Sequence, residues 1–167
     1  MNYEVILLRL LHIIFGVFWA GSAIFIAFIL QPRLKILSPN IQSQVMKALL
    51  PVMGPALVTS AIVTIIAGTA LALRLKWGNL GSFLNTGWGL AMLLGLLTSI
   101  GAITSGITML LLTRKLLGLK ITIGERTPTD KETDQLQYLS KRLPRLARST
   151  AIMVIIALFT MATARFV

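Results

Sequence analysis

Residues 4–30 read EVILLRLLHIIFGVFWAGSAIFIAFIL, and their reading decides the fold. A helix crosses the hydrocarbon of a bilayer in about 20 apolar residues. This run exceeds that length, with only Glu4, Arg9 and His12 as ionisable interruptions. Three further runs of similar character follow, at about 52–73, 87–113 and 147–166. Of the 167 residues, 56% are hydrophobic and 13% charged, and the mean hydropathy is +0.84. A soluble domain stands nearer 45–50% apolar and about 25% charged. The sequence therefore predicts an all-α protein, an integral membrane four-helix bundle built as one domain over residues 1–167. The first run is too long for the apolar part of a signal peptide and lacks a basic leader, so it is read as a retained helix.

The net charge is +11, which in a soluble protein would direct attention to nucleic acid. Its distribution points to lipid instead. Twelve of the 16 Lys and Arg residues fall in two connections, 31–50 and 114–148. The opposite side holds Arg74, Lys76 and Arg165, with Arg9 inside the first span. Cytoplasmic loops of membrane proteins carry such an excess of Lys and Arg. Both termini and the 75–86 loop are thus expected on the non-cytoplasmic side, in an inner (cytoplasmic) bacterial membrane. The chain has no cysteine, which removes disulfides, thiolate metal sites and thiol catalysis.

The punctuation between spans is informative. Gln31-Pro32 is expected to end the first helix, because proline disfavours helical geometry in its predecessor. Residues 40–50 (NIQSQVMKALL) space their apolar positions as a short helix lying on the membrane surface would. Pro51 and Pro55 are placed in the first turn of the second helix, where proline is tolerated. The 75–86 loop reads as a tight turn, with Trp77 and then Trp88 at interfacial depth. Residues 116–145 form a polar cytoplasmic segment holding four of the five acids. Within it, Thr129 and Glu132 stand at capping-box spacing. Leu136, Leu139 and Leu143 predict a helix continuing into the fourth span, bent at Pro144.

Ionisable side chains inside a membrane are costly and usually face the protein interior. Arg9 and His12 are three residues apart and share a helix face, which continues through Gly16, Trp19, Ala20, Ala23 and Ala27. Apart from Trp19 it is a stripe of small residues, suited to close helix packing or to a flat cofactor. At a rise of about 1.5 Å per residue, His12 lies roughly 7 Å and Met161 about 6 Å from the midplane, towards the same side. Met92 lies about 12 Å out on that side. An imidazole and a thioether are the axial ligands of one class of cytochrome. The candidate cofactor is therefore a haem b: His12 and Met161 as ligands, Met92 as the second choice, and Arg9, Arg165 and Arg74 available to propionates. The plain alternative is that His12 hydrogen-bonds a carbonyl across helices. A homodimer would supply His12 twice.

The spacing His12-x6-Trp19-x-Gly21, followed by Pro32-Arg33-Leu34, resembles the first helix of the copper-resistance D superfamily. It is also similar to that of the related membrane protoporphyrinogen oxidases of bacteria. The resemblance implies a four-helix membrane fold with a haem b held by His12. In the oxidase group a lysine of the third helix accompanies the histidine; here 87–113 contains no Lys, Arg, His or acid. The expected role is redox (electron transfer or oxidase-like) or haem-related, with a redox protein or a quinone as partner beside the lipid bilayer. Copper or small-solute transport, and a structural or assembly subunit, are the alternatives.

Overall fold

The computed structural model describes residues 3–76, 85–124 and 126–166. α1 (Tyr3–Phe25) passes through a single π turn (Ile26–Leu30) into the short α2 (Gln31–Leu34). α3 (Pro39–Lys76), α4 (Gly87–Ile123) and α5 (Asp130–Thr163) follow, and a 3-10 turn (Ala164–Phe166) closes the described chain. Four helical stretches are long and apolar enough to cross a membrane: Tyr3–Leu34, Pro39–Leu75, Gly87–Ile123 and Asp130–Phe166. α1 packs chiefly on α3 and α4 on α5, and lesser contacts between α3 and α4 and between α1 and α5 close the ring. Successive helices run antiparallel, so the first and last described residues share one end of the bundle, the termini end. The 35–38 and 124–129 connections mark the other, the connector end.

The core is built from small residues. Ala20, Ala23, Ala61, Ala102, Ala151 and Ala157 are buried, with Ser60, Thr64, Ser99 and Thr150 among them, and Trp19 is the only buried aromatic among the described residues. Large side chains such as Ile14, Val17, Phe28, Ile66, Leu97 and Phe159 face outward. Water would reverse this arrangement; hydrocarbon permits it, because association there depends on close van der Waals packing. Hydroxyls buried in the core satisfy themselves locally: Ser60 donates to the Ala56 carbonyl and Thr64 to the Ser60 carbonyl, both at 2.7 Å.

Two proline expectations change. The helix does not stop at Gln31-Pro32 but continues to Leu34. The Gln31 N–H reaches five residues back to the Ile26 carbonyl, and this wider turn gives room ahead of a ring that would otherwise press on the carbonyl of Phe28. The expected surface helix at 40–50 is not a separate element. It is the first part of α3, which runs through Pro51 and Pro55 without interruption. Each proline withholds one N–H, yet packing against neighbouring helices keeps such a helix intact.

Other expectations hold. Thr129 caps α5, accepting from the Glu132 N–H while the Glu132 side chain accepts from the Thr129 N–H, a complete capping box. α5 then runs through Pro144 into the fourth apolar stretch, burying Leu139 and Leu143. Thr86 caps α4 by accepting from the Gly89 N–H at 3.1 Å. The turn expected at 75–86 falls largely on residues 77–84, outside the described residues.

Candidate functional site

The histidine face of α1 meets α3. His12 Nδ1 lies 2.8 Å from the carbonyl oxygen of Thr64. A carbonyl can only accept, so Nδ1 carries the hydrogen, and in the neutral ring Nε2 keeps its electron pair. The ring rests on Gly68, where an added Cβ would stand 2.6 Å from both Cε1 and Nδ1. Only a residue without a side chain lets the imidazole approach this closely. One turn along α1, a Cβ on Gly16 would stand 3.3 Å from Thr64 Cγ2. Small residues on both helices thus hold the imidazole against the α3 backbone.

Farther along the same face, Trp19, Ala20 and Ala23 form a buried cluster with Ala61, Ala102 and Val154. Ala27, inside the π turn, packs with Ala147 and Ala151 of α5. The stripe read from the sequence is therefore mainly a helix-packing surface, with Trp19 and Ala23 also bordering open space between the helices.

The other candidate ligands and cations are arranged less compactly. Met161 sits on α4, where a Cβ on Gly95 would come within 3.0 Å of its Cγ and Cε. His12 and Met161 accordingly pack on different neighbours, α3 and α4. Met92 is half-buried on α4. Arg9, expected beside His12, is exposed on the bundle surface. Arg74 pairs with Glu4 at 2.8 Å, both side chains exposed, and Arg165 lies 4.8 Å over the ring of Phe166. All these residues do gather at the termini end. Sequence reasoning missed Glu4 as the partner of Arg74, although acid and base at the matching ends of two antiparallel spans were there to be paired. It also missed Gly68, whose importance depends on which face of α1 it meets.

A second feature lies at the connector end. A cavity of ≈ 750 Å³ opens between the helices, with Trp19, Ala23 and Ala61 at its deep end. Its lining is dominated by aliphatic and methionine side chains, and among the described residues the only charged ones on it are Lys35 and Lys120. One backbone irregularity, the π turn, borders it. Ile26 and Leu30 of the π turn, Gly54 between the α3 prolines, and Pro144 of α5 all line the space. Nothing in the sequence signalled it, because the lining residues are those of any apolar helix.

Beyond the cavity, the connection into α5 is tied by Arg126, whose guanidinium meets the Glu132 carboxylate at 2.5 and 2.8 Å. That hydrogen bond, with one from the Thr129 N–H, lowers the Glu132 pKa to about 2. Among the described residues no group of three or more His, Cys, Asp or Glu side chains could hold a metal ion. Compared with known proteins, the chain matches no family model, and no curated sequence or solved structure is significantly similar to it.

Proposed function

We propose that this is a haem b-binding protein of a bacterial inner membrane, with a redox or haem-related role and with His12 as the axial ligand. The reading rests on the bond from His12 Nδ1–H to the Thr64 carbonyl, the bond that the plain alternative also expects, because it leaves Nε2 with its electron pair. Ligating histidines almost always donate their other ring nitrogen to a carbonyl or carboxylate, which fixes the tautomer and raises ligand basicity. His12 has this second partner in place. A porphyrin brings four of the iron's ligands with it, so a single imidazole suffices where no protein metal cluster stands.

The haem would supply one-electron redox chemistry. His12 would hold its iron through Nε2, and the Gly68 backbone together with the Thr64 carbonyl would fix the plane of the imidazole. Arg9, Arg165 and Arg74 would serve the propionates, and Met161 or Met92 the other axial position. Their common location at the termini end supports this assignment; the separate packing of Met161 on Gly95 makes its part the one most exposed to test. The charge distribution supports an orientation with the connector end in the cytoplasm.

Purified protein expressed with haem available should show a Soret band that His12→Ala abolishes. An unchanged band in that variant overturns the assignment. Met161→Leu should alter the reduced spectrum; if it does not, the same measurement on Met92→Leu decides the partner. Because the chain has no cysteine, single cysteines at Ser38 and Asn85 can report sidedness. Ser38→Cys should label only from the cytoplasmic side and Asn85→Cys only from the other.

A further inference from the structure

The cavity at the connector end calls for an occupant of its own. Its volume of ≈ 750 Å³ falls within the range of small-molecule sites, roughly 300–1,000 Å³. Polarity along it is graded. The deep end is Trp19 with Ala23 and Ala61, the middle carries Met53 and other apolar side chains, and the charged residues among its described lining, Lys35 and Lys120, are cationic. Lys35 stands 16 positions beyond Trp19 in the chain, about 24 Å of helical rise. A ligand matching this gradient has a long apolar body and one anionic head.

Two further observations favour a built site over loose packing. The wall contributed by the first long helix includes Ile26 and Leu30 of the π turn, where backbone departs from regular helix; π turns occur frequently at functional sites. Methionines from two helices, Met46 and Met53 of α3 and Met109 of α4, line the space, and unbranched thioethers adapt to a flexible chain. We propose that the cavity binds a single-chain anionic amphiphile, its carboxylate or phosphate head between Lys35 and Lys120 and its tail end against Trp19. The proposal rests on the cavity alone and not on haem ligation by His12.

Trp19 is a built-in reporter. With Trp77→Phe and Trp88→Phe, it is the only indole of the chain. Titration in detergent micelles then uses a long-chain fatty acid brominated at its far end, the same acid brominated beside the carboxylate, and the matching far-end-brominated alcohol. The far-end-brominated acid should quench Trp19 saturably, the head-brominated acid should not, and the alcohol should bind about tenfold more weakly. Lys35→Gln/Lys120→Gln should bring the acid down to the affinity of the alcohol and leave the alcohol unchanged. Gly106→Leu should abolish quenching by filling the space: Gly106 lines the cavity, and its added Cβ would meet only Thr150 Cγ2, at 4.0 Å, so the first side-chain atom has room there, and the thermal midpoint checks that the fold is kept. A single-chain phosphate lipid with far-end bromines is run alongside; quenching by either head supports the proposal, and the tighter one names the head. Equal quenching from both bromine positions, persistence in Gly106→Leu, or indifference to charge overturns it. His12→Ala should leave the quenching intact, so failure of the haem assignment and failure of this one are read separately.

Discussion

The two ends of the bundle solve helix packing differently. At the termini end, small residues bring helices into direct contact: His12 rests on Gly68 and Met161 on Gly95, with no slack between side chain and backbone. At the connector end, the π turn widens the first long helix, and the elements stand apart around ≈ 750 Å³ of space. The same few residue types, glycine, alanine, methionine and leucine, appear in both. What differs is whether a neighbour has somewhere to go. An open groove of ≈ 800 Å³ does lie at the termini end, between Glu4, Leu7, Leu8, Ala70, Leu73 and Arg74, but it does not reach the closed contact of His12 on Gly68.

Glycine substitutions test the contrast most directly, because near-identical close approaches should have unequal consequences. Gly68→Ala would set a methyl 2.6 Å from a rigid imidazole held by a hydrogen bond. It should destabilise by about 2–3 kcal/mol, seen as a lowered thermal midpoint in detergent, and should disturb any Soret band. His12→Ala removes the bond to Thr64 and leaves a gap, for about 1–2 kcal/mol by the same assay. Thr129→Ala takes away one half of the capping box, with an expected loss of about 1 kcal/mol. It should speed amide exchange in the first turn of α5 and leave the termini end unaffected.

Gly54→Ala is the counterpart of Gly68→Ala. Its Cβ would meet Leu110 Cδ1 at 2.7 Å, but Leu110 lines the cavity and its far methyl can swing into it. The loss should stay below about 1 kcal/mol; a cost equal to that of Gly68→Ala would break the comparison. The smallest effect is electrostatic. Glu132 has a lowered pKa, so the stabilisation it contributes is present above the ordinary carboxylate range and disappears as pH falls through about 2. Arg126→Gln should return its titration towards that ordinary range, followed by NMR of the side-chain carboxyl.

Much of this architecture could be read from the residues. Four apolar stretches gave four helices, the Thr129/Glu132 spacing gave a real cap, and the Gly16–Ala27 stripe gave the buried face of the first helix. The positions of candidate ligands were only half legible. Rise per residue gives depth, so His12 and Met161 could be set at matching levels; it gives no azimuth, so the helix each would pack on stayed open. Arg9 was expected in the interior from the face it shares with His12, yet its long side chain lies at the surface. Proline was the least legible residue of all. In water Pro32 and Pro51 would mark helix ends, whereas helices held by neighbours in an apolar solvent run through them.

The π turn has a consequence for how this chain tolerates change in length. An α-helix closes its bonds over four residues and a π turn over five, so Ile26–Leu30 holds one residue more than the regular path needs. Removing Phe28 or Ile29, both exposed, would let the helix close regularly, and because the wide turn holds its extra residue within one revolution, everything beyond would keep its direction. Gln31 and Leu34 would then stay on the cavity wall, and His12, upstream, would keep its place on Gly68. The wide turn works as a length buffer: it takes up one residue without turning the faces on either side of it, whereas a regular helix rotates by about 100° for each residue added or lost.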